Sequence, residues 1–211
     1  MSYLARKIRK RSQLEIASAQ DIVVERIFQK MPEVVLHGGT LIWRCYGGNR
    51  FSYDLDFYAE KSETVKPFFE ELSSYGFMTN KLRIKDKSAY IKLSYGRIEL
   101  SVELLFKHSE GTLLNYETLE GRKLMVRGLD PETVIVEKVD AFLSRKKARD
   151  LYDIVHMLSF ASRTEKVKNS LKLLIENYER PMDEEELKAT VIAGYAPGAD
   201  EMLNSIRRWL L

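Results

Sequence analysis

Apolar and polar residues follow two different periods along the chain. Up to residue 31, apolar residues recur at the spacing of an amphipathic helix, with a break near Ser12. Between residues 77 and 106 they alternate with polar residues as in strands with one buried face, and Tyr95-Gly96-Arg97 predicts a hairpin turn. From residue 131 onward the helical spacing returns. The pattern therefore predicts an α+β half followed by a helical half.

Shorter segments complete the prediction. In the first half we predict a strand at 34–36, a helix at 41–46, a strand at 53–59, a helix at 62–75, and a loop with one strand, 123–127, over 107–129. In the second half we predict helices at 131–147, 148–160, 164–178, 183–193 and 198–210. Asp130 followed by Pro131 is a good helix start, so we place the boundary between domains 1–129 and 130–211 there.

The segment Asp54-Leu55-Asp56-Phe57 is locally unfavourable. In a strand, Asp54 and Asp56 share one face, where two carboxylates repel each other, and Asp has a low strand propensity. A divalent cation between the two carboxylates would remove the conflict. We therefore interpret Asp54 and Asp56 as metal ligands beside a nucleotide.

Two glycines precede this strand, between the strand at 34–36 and the next helix. Glycine lets the backbone approach a ligand closely, and the free N–H groups of a helix N-terminus attract anions, so Gly38-Gly39 could hold a phosphate. Most Gly-Gly turns are only tight turns, and the signal here comes from the acidic strand that follows. Thr40 could add a hydroxyl ligand or cap the helix.

A third carboxylate could come from the strand at 98–104. Glu99, Ser101 and Glu103 share one face of that strand, and the apolar residues Ile98, Leu100, Val102 and Leu104 share the other. An ordinary half-exposed strand gives the same pattern, so the sequence leaves both interpretations open.

Composition indicates in which environment the protein folds and which metal ions it could bind. Hydrophobic content of 45%, and no apolar run near the ~20 residues that span a membrane, predict a soluble protein without membrane contact. The single Cys45 and the absence of a secretory signal pattern predict a cytoplasmic location. With one cysteine and three scattered histidines, a metal would be oxygen-ligated, which favours Mg²⁺ or Mn²⁺ over zinc.

Charge is uneven, although the net charge is only +3. Basic residues form two clusters: Arg6, Lys7, Arg9, Lys10 and Arg11, and Arg145, Lys146, Lys147 and Arg149. Such clusters could contact RNA phosphates, and solvated helix faces explain them equally well.

Two charged residues of the helical half, Lys138 and Asp150, are further candidates for the site because they lie within or beside apolar helix faces. Lys138 lies within the apolar stripe of the 131–147 helix, where it either extends out along the packed surface or points into a cleft as a phosphate ligand. Asp150 borders the buried face of the next helix, and Asp153 is predicted further out. Asp150 could orient Lys138 or Arg149, or pair locally.

Taken in order, these motifs resemble the AbiEii/AbiGii toxin family of the DNA polymerase beta-like nucleotidyltransferase superfamily. The resemblance rests on Gly38-Gly39-Thr40, Trp43-Arg44-Cys45-Tyr46-Gly47-Gly48, Arg50-Phe51-Ser52, Asp54-Leu55-Asp56-Phe57, Glu137-Lys138, Ala141, Arg145 and Arg149-Asp150-Leu151-Tyr152-Asp153-Ile154. It covers roughly residues 30–160. It implies a mixed sheet flanked by helices, with two carboxylates on one strand and a third on a neighbour.

The resemblance also implies a reaction. Family members are expected to use magnesium and a nucleoside triphosphate (NTP), to transfer a nucleotidyl group to an RNA such as tRNA, or to protein, and to act as the toxin beside a cognate antitoxin. By position, the metal ligands would be Asp54, Asp56 and Glu99, a glutamate where the superfamily usually has aspartate. Lys138 and Asp150 would be the downstream catalytic pair.

Phosphate contacts are predicted for the glycine pair and for several hydroxyl and basic residues of the motifs. These are Gly38, Gly39, Thr40, Arg44, Arg50, Ser52 and Lys138. Two other functions would fit the same residues, namely a nucleotide- or RNA-binding protein with weakened catalysis and a metal-dependent phosphohydrolase. A purely structural protein gives no reason for two aspartates on one strand face.

Overall fold

The computed structural model describes residues 2–61 and 63–211. Contacts between Cα atoms divide the chain into two compact units. One comprises the residues up to Gly47 together with Phe51–Leu129, and the other comprises Gly48–Arg50 together with Asp130–Leu211. The predicted α+β class is confirmed.

The first unit contains a mixed sheet with helices. Its elements are α1 (Tyr3–Lys7), α2 (Arg11–Lys30), β1 (Val35–His37), α3 (Gly38–Cys45), β2 (Leu55–Ala59), α4 (Val65–Glu71), a 3-10 turn (Leu72–Tyr75), β3 (Phe77–Ile84), β4 (Ser88–Tyr95), β5 (Ile98–Phe106), β6 (Thr112–Glu117) and β7 (Lys123–Gly128). The strand order is β3-β4-β5-β2-β1-β7-β6. The pairs β2–β5 and β1–β7 are parallel, and the other neighbours are antiparallel.

Alternation along the strands gives the sheet two different faces. On β5, the apolar residues Ile98, Leu100, Val102 and Leu104 are buried, whereas Glu99 and Glu103 between them are exposed. Phe57 of β2 lies on the apolar face and makes an edge contact with Phe28 of α2, with ring centroids 6.1 Å apart. Burial of apolar residues on one face therefore leaves the carboxylates on the other.

Several elements differ from the sequence prediction, among them one strand and two helix starts. Strand β6 was missed because its apolar residues do not alternate with polar ones, Leu113 and Leu114 being adjacent, and it forms by pairing with β7 along its whole length. Helix α3 begins at Gly38 rather than at residue 41, so the glycine pair forms its first turn. Helix α4 begins at Val65, and the predicted start at Ser62 lies outside the described residues.

The second unit is helical. Its helices are α5 (Pro131–Arg145), α6 (Ala148–Met157), α7 (Glu165–Glu176), α8 (Glu184–Thr190) and α9 (Ala199–Leu210). Asp130 caps α5 by accepting a hydrogen bond from the backbone N–H of Thr133 at 2.9 Å. The segment 48–50 belongs to this unit through an antiparallel bridge between Arg50 and Val191 and a hydrogen bond from Ile192 N–H to the Asn49 carbonyl, 2.8 Å long. No helix within the described residues is long and apolar enough to cross a membrane.

Candidate active site

Asp56 lies directly against the glycine turn. In the antiparallel pair of β1 and β2, His37 is opposite Asp56, and Gly38 follows with φ of +72°. A Cβ built on Gly38 would collide with the Asp56 carboxylate oxygen Oδ2. Glycine is thus required twice, for the left-handed backbone and for the space that the carboxylate occupies. The predicted phosphate turn and one predicted metal ligand are therefore in contact.

Thr40 holds the other aspartate in place through the backbone. Its hydroxyl donates a 2.6 Å hydrogen bond to the carbonyl of Asp54, and its side chain is fully buried in α3. The Asp54 side chain itself is exposed, and that of Asp56 is half-buried. Thr40 is therefore reassigned from a phosphate ligand to a residue that fixes the start of β2.

The glutamate of β5 that lies opposite Asp56 is Glu103, not Glu99. In the parallel pair of β2 and β5, Asp56 is opposite Glu103, and paired residues project from the same face. Glu99 is four residues earlier, about 13 Å along the strand at ~3.3 Å per residue. Its carboxylate is 2.7 Å from the ammonium of Lys92. The register therefore favours Glu103 over Glu99 beside Asp56, and the sequence does not give this register. The metal-ligand role of either glutamate stays a prediction.

These carboxylates do not form a ready-made metal cage. Among residues 2–61 and 63–211, no group of three or more His, Cys, Asp or Glu side chains is arranged to hold a metal ion. The donors of Asp54, Asp56 and Glu103 are all oxygens, the set that magnesium and manganese prefer. The donor chemistry therefore fits a hard divalent cation that arrives with its substrate and keeps several water ligands.

Arg44 is a structural residue of the first unit. Its side chain is enclosed, 2.9 Å from the Asp21 carboxylate and donating to the Ala17 carbonyl at 2.9 Å. The guanidinium carbon lies 4.0 Å from the centroid of the Trp43 ring. Burial raises the pKa of Asp21, although the charge of Arg44 acts in the opposite direction. The structure does not favour the predicted phosphate contact of Arg44, because the side chain is buried and its Nη1 and Nη2 atoms donate to the carbonyls of Glu117 and Ala17.

The helical unit contains a buried charge network. Asp153 accepts two hydrogen bonds from the guanidinium of Arg50, 2.8 and 2.7 Å long, and lies 2.6 Å from the ammonium of Lys138. Asp150 accepts two from Arg145, 2.8 and 2.7 Å long, and lies 3.5 Å from Lys138. Three cations thus share two carboxylates, and Lys138 joins the two pairs.

Electrostatics explain why this network stays charged. Burial alone would raise the pKa of Asp153, but Arg50 and Lys138 outweigh it and hold that pKa well below its usual range. The pKa of Arg50 is raised against the effect of its own burial, chiefly by Asp153. A buried carboxylate is tolerated here because it is fully hydrogen-bonded to cations.

The network changes several predictions. Asp153 was predicted to lie outside the buried face, and it is 1% exposed at the centre of the network. Arg50, predicted to contact phosphate, donates to Asp153 instead. Lys138 and Asp150 are brought together as the sequence suggested, and their contact with a nucleotide stays a prediction. The phosphate contact of Ser52 also stays a prediction. This residue is 8% exposed, and its carbonyl accepts a hydrogen bond from the Gln20 side chain.

Comparison with known proteins decides the family. The sequence model described as nucleotidyl transferase AbiEii toxin, of a type IV toxin–antitoxin system, matches residues 23–207. The chain belongs to the AbiEii family. It is therefore a nucleotidyltransferase of the toxin class, for which a nucleoside triphosphate substrate and an antitoxin are implied.

Solved structures agree with the AbiEii fold. MenT4, a nucleotidyltransferase toxin from Mycobacterium tuberculosis, superimposes with a TM-score of 0.68 at 21% identity, over 94% of this chain and 82% of that one. JHP933 from Helicobacter pylori gives a TM-score of 0.66 at 20% identity, over 95% and 91%. At such identities the likeness shows the fold alone. No curated protein matches the chain.

The sequence prediction missed the buried position of Asp153 and could not choose between Glu99 and Glu103. Glu103 was recognised as a candidate, but only the pairing of β2 with β5 distinguishes it from Glu99. Asp153 gave a weaker signal, because helical spacing placed it at the margin of the buried face. Its position three residues after Asp150 on a helix was the one available clue, since residues three apart share a helix side.

Proposed function

We propose that this AbiEii protein transfers a nucleotidyl group from a nucleoside triphosphate to a hydroxyl of RNA, such as tRNA, in a reaction that depends on Mg²⁺ or Mn²⁺. The observation that carries the proposal is the contact between Gly38 and Asp56. Gly38 is the first residue of α3, whose free N–H groups would hold phosphate oxygens, and Asp56 beside it would hold their cation.

The residues have distinct roles in this proposal. The backbone of Gly38 and Gly39 receives phosphate oxygens, and Asp54 and Asp56 hold the cation. Glu103, on the same face as Asp56, orients the acceptor hydroxyl and accepts its proton. A bond forms between the acceptor oxygen and the α-phosphorus as the bond to the β-phosphate oxygen breaks, and pyrophosphate leaves. A bound divalent cation would neutralise the triphosphate charge during this displacement.

The test is transfer of labelled nucleotide to total tRNA, with each triphosphate in turn. Wild-type protein should label RNA with Mg²⁺ or Mn²⁺ and should stop when EDTA removes the cation. The variant Asp54→Asn with Asp56→Asn should lose transfer, whereas Lys166→Gln, an exposed residue of α7, serves as the matched control. Full activity of the double variant would disprove the roles of the two aspartates.

The same assay separates the alternatives. Labelled protein instead of RNA would identify a protein acceptor. Release of free nucleotide without any adduct would indicate a phosphohydrolase. Triphosphate binding without product would indicate a binding protein with weakened catalysis. The toxin role is tested in cells, where expression should arrest growth and co-expression of the cognate antitoxin should restore it.

A further inference from the structure

The open face of the sheet continues outward from the carboxylates. Along one row of paired residues, Asp56 is opposite Glu103, Glu103 is opposite Tyr90 of β4, and Tyr90 is opposite Arg83 of β3. Directly paired residues project from the same face, so these four side chains lie side by side. Lys81 belongs to the same face, since it is opposite Lys92 in the neighbouring row.

Charge changes sign along this row. The carboxylates lie on β2 and β5, and the cations Lys81 and Arg83 lie on β3, at the edge of the sheet. Both cations are exposed, and within the described residues neither forms an ion pair with a carboxylate. Lys92 differs, because its charge is balanced by Glu99 at 2.7 Å. Lys81 and Arg83 are thus positive charges available to an external anion.

An aromatic ring lies between the two charge groups. Tyr90 is half-exposed, and the ammonium of Lys81 lies 5.6 Å from its ring centroid. Its hydroxyl lies 3.3 Å from that of Ser101 on β5, which fixes the ring on the sheet. Cations beside a fixed aromatic ring form a surface suited to phosphates and an unpaired base.

We propose that Lys81, Arg83 and Tyr90 bind the single-stranded end of the acceptor RNA, a role that rests on the proposed function. Neighbouring strands are ~4.8 Å apart, so Tyr90 lies about 10 Å and Arg83 about 14 Å from Asp56 across the sheet. The terminal nucleotide lies at the carboxylates, the preceding bases stack on Tyr90, and the backbone phosphates reach Lys81 and Arg83. We call these three residues the acceptor face.

The acceptor face is tested by binding alone, without triphosphate and with EDTA present. A fluorescent single-stranded RNA oligonucleotide is titrated with protein at several salt concentrations. Lys81→Glu with Arg83→Glu should weaken binding at least about tenfold and reduce the slope of log K against log salt by about 1.4, at ~0.7 per phosphate contact. Tyr90→Leu should weaken binding about tenfold and leave that slope unchanged, because stacking carries no charge.

The control variant is Lys166→Glu with Lys172→Glu, which changes the charge equally at exposed positions of α7. It should bind RNA as wild type does. Thermal melting confirms that each variant is folded, and Lys81→Gln with Arg83→Gln provides the milder substitution if charge reversal unfolds the edge strand.

Several outcomes would overturn the inference. One is that the acceptor-face variants bind RNA as tightly as the control variant does. Another is that the wild type binds duplex RNA as tightly as single-stranded RNA. A third is that the wild type binds a polyglutamate peptide and does not bind RNA. Because the assay contains neither triphosphate nor metal, loss of nucleotidyl transfer does not affect it. If the acceptor-face variants bind RNA and transfer nucleotide as the wild type does, the acceptor face is disproved and the proposed reaction still stands.

Discussion

At the scale of single residues, two glutamates on one strand differ in their neighbours. Glu103 is opposite Asp56, and Glu99 forms an ion pair with Lys92. We predict that Glu103→Gln lowers the rate of nucleotidyl transfer about 100-fold or more, because the variant loses a carboxylate that accepts a proton.

Glu99→Gln is the matched control for that measurement. It removes the same charge from the same face of the same strand, and it should keep the transfer rate within about threefold, since the Glu99 carboxylate pairs with Lys92 and lies about 13 Å along the strand from Glu103. Steady-state rates with saturating triphosphate compare the two. A larger loss in Glu99→Gln than in Glu103→Gln would restore the original assignment.

At this scale the sequence singles out residues whose chemistry is local, and the functional roles of these residues stay predictions. The Gly38 turn and Asp56 were both identified because glycine and a strained acidic strand are visible one residue at a time. Glu103 could not be separated from Glu99 in this way, because strand register joins residues 47 positions apart in the chain. Arg44 was misassigned for a similar reason. Its partner Asp21 comes from a different helix.

At the scale of elements, α5 and α6 are joined by buried charges rather than by apolar contacts alone. Removing one partner of a buried pair leaves the other without compensation and costs roughly 3–5 kcal/mol. We therefore predict that Asp153→Asn lowers the free energy of unfolding at neutral pH by about that amount, measured by urea denaturation. An unchanged urea midpoint would contradict the network.

The same residue predicts a pH dependence. Because Arg50 and Lys138 depress the pKa of Asp153 in the folded protein, its stabilising contribution is present above the unfolded value of ~3.9 and is lost as pH falls towards the folded value. The urea concentration at the unfolding midpoint of the wild type should therefore decrease as the pH is lowered below about 4. Asp153→Asn should lack that part of the decline, and parallel pH curves for the two proteins would contradict the assignment.

Element-scale prediction was accurate for helices and less so for edge strands. The helices of the second half show strong apolar spacing, and α5 and α7 also have side-chain caps at Asp130 and Thr164, so their positions follow from local sequence. Strand β6 has no such pattern. It is stabilised by pairing with β7 and by its buried Tyr116, which donates a hydrogen bond to Asp21 of α2. Asp153 was placed outside the core since the apolar spacing of α6 says nothing about cations on other segments.

At the scale of the whole molecule, a short segment from the first half of the sequence belongs to the second unit. Arg50 brings the segment 48–50 into the helical unit through Asp153. The chain has two tryptophans. Trp43 lies in the first unit and Trp209 in the second.

These tryptophans allow each unit to be followed separately. In a Trp43→Phe background, Arg50→Met should shift the unfolding reported by Trp209 by about 3 kcal/mol or more, because Asp153 loses its two-fold hydrogen bond. In a Trp209→Phe background, the transition reported by Trp43 should shift less. Equal shifts in both backgrounds would mean that the two units unfold as one.

The edge position of β3 has a consequence for solubility. An edge strand offers unpaired backbone groups to other chains, and charged side chains oppose such pairing. Lys81 and Arg83 occupy that edge, beside a bulge between Thr79 and Lys81. Replacing both cations by valine should therefore promote self-association through β3 in light scattering, whereas charge reversal to glutamate should not. The positive charges then have a second task, which is to keep copies of the protein apart at the concentrations reached in an expressing cell.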